Sequence, residues 1–407
     1  VDDLRQRGFD DFLARKQRGG RYAATQAQME IVDIGNLAQR RRHLFDHVAG
    51  IELVDNHVHG FWTRAVDRRR FENGLNESNT DPLADFDCGF DTQIGVAVRA
   101  HCSPLLGLSQ HASPGEYWDA RGRLVPAELA RLFLPAAGVS HWLLDTGLDG
   151  DTAGRAGMEQ VAAGRIREIV RLEQVAEQAA AADGDYAQRF IEILHARAEF
   201  AVATKTVLAY RGGFDGDLSE PDQAEVQTSA ARWRDAGGTR LTDRVLLRFG
   251  IHQALRLGKP LQFHTGLGDR DCDLHRTNPL LLLDFLRSSG DCPIVLLHCY
   301  PFEREAGYLA QAFNHVYLDT GLSINHLGAR AAAFLARTLE LAPFRKILYS
   351  SDAFGPPELH YLGASLWRNG IAAVLGEFVA RGQWGIDDAK RVATLVGRAN
   401  AVRLYQL

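Results

Sequence analysis

Short apolar runs alternate with stretches of helical periodicity along most of this chain. From residue 199 the rhythm is regular. Apolar runs over 200–210, 260–264, 293–298, 316–319 and 346–350 predict strands. Stripes at three- and four-residue spacing over 222–236, 240–257, 279–288, 303–313, 326–341, 358–380 and 387–404 predict helices. Upstream, strands are expected at 51–57 and 139–146, with a short one near Phe71–Glu77 in a polar, turn-rich stretch. Helices are expected over 91–107, 156–182 and 185–198. The total is eight strands, most of them followed by a helix. That order implies a parallel sheet and, at eight units, a (β/α)8 TIM barrel. Such a barrel needs about 250 residues. The surplus of this 407-residue chain falls in the 60–185 region and at the start. Leu4, Phe9, Phe12 and Leu13, then Ile31, Ile34, Leu37 and Leu44, give two helical stripes. Residues 1–49 are therefore expected to form a helical N-terminal extension, and 50–407 the barrel. Arg40-Arg41-Arg42 reads as a solvated helix face. No internal repeat or Pro/Ser-rich linker argues for a further domain.

Polar residues recur where the strands end. The first strand ends Asn56-His57-Val58-His59, and side chains two apart on a strand share a face. With 15 histidines in 407 residues, about half a chance pair of this spacing is expected, so the pair needs its context. The context is supplied by His264 after Leu261-Gln262-Phe263, His298 after Ile294-Val295-Leu296-Leu297, and Asp352 after the last strand. Barrel active sites sit at the carboxyl ends of strands. Singly, each residue reads as a buried histidine or a helix cap; together on four strand ends they read as a site. Lys205 lies in the fourth strand, and a lysine pointing into a barrel is seldom idle. Arg211 stands beside Gly212-Gly213, where its fork of donors suits a substrate carboxylate; a plain surface arginine is the competing reading. Asp145 and Asp319 end their strands before Thr-Gly, and each reads as a helix cap or a pocket wall. Trp62 follows the histidine pair and is placed to cover the site. Asp269, Asp271 and Asp273 form an acidic loop without the spacing of a calcium-binding EF-hand.

These stretches resemble the metal-dependent amidohydrolase superfamily. His264-Thr-Gly-Leu-Gly-Asp269, Ile294-Val-Leu-Leu-His298-Cys-Tyr-Pro, Glu305-Ala-Gly-Tyr308 and Leu348-Tyr-Ser-Ser-Asp352-Ala are similar to its amidohydrolase-2 branch. Within it they are similar to the amidohydrolase half of FluG-type, glutamine-synthetase-linked proteins. The resemblance implies that His57, His59, His264 and Asp352 hold a divalent metal, with Zn2+ suiting the nitrogen and carboxylate donors. His298 binds a second ion or meets the substrate oxygen. Asp352 carries the proton between water and leaving group. Lys205 is either a carboxylated bridge between two ions or a free ammonium beside one; one ion is the reading taken here. The implied reaction is hydrolysis of an amide C–N bond in a small carboxylate-bearing substrate, of γ-glutamyl type given the synthetase-linked relatives. The alternative is non-oxidative decarboxylation, which the same ligands serve. A non-catalytic relative is disfavoured by the complete ligand set.

Composition narrows the rest. Hydrophobic residues are 46 % and charged residues 24 %, with net charge −5, which is ordinary for a globular protein and argues against a nucleic-acid partner. No apolar run approaches the roughly 18 residues of a membrane span. Five cysteines, none in a Cys-x-x-Cys, suit reduced thiols, and the charged opening Val1-Asp2-Asp3-Leu4-Arg5 lacks a secretory apolar run. A cytoplasmic enzyme with a small-molecule substrate is expected. The helical arm suggests a homo-oligomer.

Overall fold

The computed structural model describes residues 39, 41–79, 81, 88–148, 150–181, 184–237 and 240–407. Eight strands run in sequence order: β1 Leu53–Val58, β2 Val139–Asp145, β3 Arg165–Arg171, β4 Ala203–Thr206, β5 Leu261–Thr265, β6 Ile294–His298, β7 Val316–Asp319 and β8 Ile347–Leu348. Every neighbouring pair is parallel. The ring closes through backbone bonds between β1 and the segment after β8: Asn56 N to Tyr349 O at 3.1 Å, Asp352 N to His57 O at 3.0 Å, and His59 N to Ala353 O at 2.9 Å. This (β/α)8 barrel is the expected fold. The closing seam also sets the β1 histidines beside Asp352.

The strand residues of β1, β4, β5 and β6 are buried throughout, as in a parallel sheet covered on both faces. One apolar core lies between the sheet and the helices. A second fills the barrel interior with Val54, Leu143, Ile169, Val295, Leu297 and Leu348. Helix starts carry their expected caps. Asp222 and Glu225 form a capping box for Gln223–Asp235, Asp185 caps Tyr186–Ala198, and Asp243 caps Arg244–Arg256.

The strand count was right for partly wrong reasons. The strand expected near Phe71–Glu77 is the helix Arg68–Asn73 followed by a turn. The missing strand, β3, lies inside the expected helix 156–182. Its buried residues Ile166, Ile169 and Val170 are spaced as on a helix, and so are Leu172, Val175, Ala176 and Ala179 directly after them, with only a shift of face between the two sets. Periodicity therefore could not find the boundary, and pairing with β2 and β4 decides it. Asp145 accordingly ends strand two. Of the N-terminal extension, residues 41–49 are helical, with Leu44 and Val48 in the core. The first expected stripe, and Ile31, Ile34 and Leu37, lie outside the described residues. All five cysteines are free. Among the described residues no helix is long and apolar enough to cross a membrane.

Candidate metal centre and active site

A cavity of about 570 Å³ opens at the carboxyl ends of the strands, with His59, Lys205, His264 and Asp352 on its wall. The polar ends of β1, β4, β5 and β8 thus meet where the sequence places them. Asp352 is the hub. Its Oδ1 lies 3.2 Å from His57 Nε2 and 3.3 Å from His59 Nε2, and its Oδ2 lies 3.5 Å from His298 Nε2. His298 and Asp352 both take left-handed backbone angles, φ 70° and 48°. Strain of this kind persists only where surrounding structure holds it, and it concentrates at functional sites.

The outer ring nitrogens assign the inner ones. His57 Nδ1 faces the Gln262 amide oxygen at 2.8 Å, and His59 Nδ1 faces the Asp145 backbone carbonyl at 3.2 Å. Each Nδ1 therefore carries the proton, and each Nε2 presents a lone pair. Burial, with Lys205 adding to it, pulls His57 down to about 4, and burial pulls His298 down to about 3. Burial alone pushes the Asp352 carboxyl up, and only positive charge facing it holds it well below the usual range. Bare nitrogens thus converge on an ionised oxygen. Asp352 Oδ1 and both ring nitrogens of His298 have no hydrogen-bond partner among the described residues. Such a set repels itself unless a cation lies between. Donors around a tetrahedral ion with bonds of about 2.0–2.1 Å stand about 3.3 Å apart. The spacings at Asp352 Oδ1 match, so these residues fit a divalent metal.

His264 departs from the expected arrangement. Its Nε2 faces Leu267 O at 2.9 Å, leaving Nδ1 turned to Tyr210 Oη at 3.5 Å. Its ring packs 4.6 Å from that of His298, centroid to centroid. A Cβ on Gly268 would come within 2.6 Å of Tyr210 Oη and 2.9 Å of His264 Nε2, so any larger residue would displace these two side chains.

Lys205 is buried, with Nζ 3.0 Å from His57 Nε2 and 3.6 Å from Asp145 Oδ2. Burial lowers its pKa and Asp145 opposes that shift. Asp145, read from the sequence as a helix cap or a pocket wall, is not among the residues lining the cavity. Its oxygens accept from Gly147 N at 2.8 Å and from Arg171 Nη2 and Nε at 2.8 and 3.2 Å. Asp145 lies within 4.8 Å of His57 and His59 and could be taken for a ligand. Its oxygens also accept from Arg171 and Gly147, whereas Asp352 Oδ1 has no hydrogen-bond partner among the described residues. Asp319 is structural. It accepts from Asn56 Nδ2, Ser350 Oγ and the His298 amide at 2.8, 2.6 and 2.6 Å. Trp62 and Arg211 line the cavity. Arg211 gives Nε to Leu241 O at 2.8 Å and Nη1 to Tyr210 O at 3.2 Å.

Sequence reasoning missed Arg171, Tyr210, His326 and Glu77, all on the cavity wall. Arg171 was legible in principle, since it ends β3, but that strand was read as helix. Glu77 comes from the β1–β2 insertion, which carries no motif. Burial pushes its carboxyl up to about 8, and Asp352 and Asp269 add repulsion. The folded chain then binds this proton more tightly than the unfolded chain, so its contribution to stability falls as pH rises from 4.5 to about 8. In chelator-treated protein, Glu77→Gln is expected to raise the melting temperature near pH 8 and to leave it little changed near pH 5. Equal melting-temperature shifts at both pH values would remove Glu77 as a strained acid.

Residues 150–407, more than half of the chain, match the family described as Amidohydrolase. The chain belongs to the amidohydrolase family. The matched region holds Lys205, His264, His298 and Asp352; His57 and His59 lie upstream of it. Protein fluG of Emericella nidulans is 33 % identical over 221 residues, covering 51 % of this amidohydrolase and 26 % of that relative. The chain thus matches about a quarter of fluG. A solved structure from Lactobacillus casei ATCC 334, described as a metal-dependent hydrolase by assignment, is 27 % identical with a TM-score of 0.77, covering 89 % of this chain and 97 % of that one. A uronate isomerase from Bacillus halodurans C-125 shares the fold at 14 % identity and TM-score 0.64, over 91 % and 97 % of the two chains.

Proposed function

We propose that this amidohydrolase hydrolyses the amide C–N bond of a small carboxylate-bearing substrate, with a γ-glutamyl-type amide as the class tested first. The observation that carries the reading is the pair of bare imidazole nitrogens aimed at one ionised oxygen of Asp352, beside the cavity. His57, His59 and Asp352 form the core of the metal site, with His298 and His264 Nδ1 as the further donors beside it. Zn2+ is the ion proposed, on donor type. When bound, such an ion lowers the pKa of water and polarises a carbonyl.

The chain's own residues do the rest. Asp352, held ionised, accepts a proton from the attacking water and returns it to the departing nitrogen. Lys205 stands at the cavity floor beside His57 and Asp145, where burial lowers its pKa and Asp145 opposes that shift. Arg211 turns Nη2 to neither of its backbone partners, which leaves that group for a substrate carboxylate. Arg171 and Arg240 add cationic wall, while Asp269 offers an acidic group that suits a substrate ammonium. One cavity holding both signs favours an amino-acid-like substrate. Trp62 closes one side.

The test has two parts. Protein purified without chelator is expected to hold one or two divalent ions per chain. It is also expected to release amine or ammonia from a panel of γ-glutamyl amides and N-acyl amino acids. Protein that lacks metal and cannot be reconstituted would end the reading. Release of CO2 without amine from aromatic acids would replace hydrolysis with decarboxylation.

A further inference from the structure

The floor of the barrel holds a polar chain that the proposed reaction does not use. The helix Asn400–Tyr405 packs under β1 and β8, and Ala401 and Tyr405 join the apolar core of the barrel interior. The Tyr405 hydroxyl is buried there and is not idle. It donates to Asn56 Oδ1 at 2.8 Å and accepts from Gln262 Nε2 at 2.9 Å. Gln262 Nε2 also donates to the Asn56 backbone carbonyl at 2.9 Å, and Gln262 Oε1 faces His57 Nδ1 at 2.8 Å.

Each polarity along this chain follows from the one before. Asn56 gives its Nδ2 to Asp319 at 2.8 Å, so its Oδ1 must be the acceptor for Tyr405. The hydroxyl spends its proton there, so it meets Gln262 with a lone pair. Gln262 must then offer its NH2 downward and its oxygen upward. The upward oxygen takes the Nδ1 proton of His57 and leaves Nε2 bare toward Asp352. A hydroxyl suits the turning point because it donates and accepts at once, and it holds the Gln262 NH2 together with the Asn56 backbone carbonyl. We propose that Tyr405, acting through Gln262, is a positioning residue that sets the tautomer of His57 from the opposite end of the barrel. The consequence for metal binding rests on the reading of His57 as a ligand; the tautomer does not.

Tyr405→Phe keeps the ring that plugs the barrel and removes only the hydroxyl. Asn56 Oδ1, left without its donor, stands 3.4 Å from Gln262 Nε2 and draws the amide toward itself, away from His57. Gln262→Met keeps the side-chain length, removes both polar atoms and leaves the plug untouched. Nitrogen NMR of 15N-histidine-labelled, metal-free protein reads the tautomer, with the His57 signals assigned from a His57→Asn variant. Wild type is expected to show Nδ1 protonated and Nε2 bare. Both variants are expected to lose that single pattern. Zinc affinity, measured by competition with a chromophoric chelator, is expected to fall about 3- to 10-fold for Tyr405→Phe, the worth of one hydrogen bond. The expected fall is about 10- to 100-fold for Gln262→Met. A wild-type tautomer in both variants, or a Tyr405→Phe protein that melts earlier but keeps tautomer and affinity, would reduce Tyr405 to packing. If wild type binds no metal, the ligand reading fails, and the metal-free tautomer still decides the relay.

Discussion

Asp352→Asn is expected to lower kcat by about 10³- to 10⁴-fold, near the upper end of what a positioned acid–base group supplies. The substitution isolates the charge. Asp352 sits at φ 48°, and asparagine is among the few residues that accept this left-handed conformation readily. The closing bond from its amide to His57 O therefore survives. What is lost is the anionic oxygen that His57 and His59 approach at 3.2 and 3.3 Å, and with it the proton acceptor. Steady-state turnover of an amide substrate, beside far-UV circular dichroism and metal content, checks this. A folded, metal-loaded variant retaining a tenth of wild-type turnover would take the proton from Asp352 and require another carrier.

Asp145→Ala is expected to cost about 3–5 kcal/mol of stability. Arg171 and Lys205 are register partners on β3 and β4, two basic side chains side by side inside the protein. Asp145 stands between them, 2.8 Å from Arg171 Nη2 and 3.6 Å from Lys205 Nζ. Burial raises its pKa, but Arg171 and then Lys205 more than reverse the shift and hold the carboxyl below the usual carboxylate range. A depressed carboxylate stabilises the fold above its unfolded pKa, and that gain is lost only as pH falls through the folded value. The difference between wild type and variant is therefore expected to stay constant from about pH 7 to pH 5. The double variant Asp145→Ala/Arg171→Met is expected to lose less than Asp145→Ala alone, because one stranded cation leaves with its partner. Urea unfolding midpoints read both effects. A single-variant cost under about 1 kcal/mol would show that water already screens the cluster.

Legibility differed from residue to residue for identifiable reasons. His57 and His59 were readable as a same-side pair because strand alternation is local, and the structure turns both Nε2 atoms to Asp352. His264, His298 and Asp352 were readable because each ends an apolar run. β3 was not, since Ile166, Ile169 and Val170 take helical spacing and run directly into the following helix. The misplaced strand at Phe71–Glu77 hid the helix whose trailing turn carries Glu77 to the cavity. Asp145 and Asp319 looked alike, each before Thr-Gly, and only the structure gives their partners: Arg171 for one, Asn56 and Ser350 for the other.

The sequence by itself determined the barrel and the ring of chemical groups at its mouth. Both follow from short-range periodicity, which a chain carries wherever it folds. The tertiary structure decided which atoms those groups present. The tautomer of His57 depends on Gln262, 205 residues away, and the pairing of Asp352 with the β1 histidines on the seam that closes the barrel. His264 turned its Nε2 to Leu267 O because the glycine-permitted path of residues 267–268 brings that carbonyl alongside. Proton positions and ring rotations answer to whatever lies within about 3 Å, and only the closed barrel brings those partners that near.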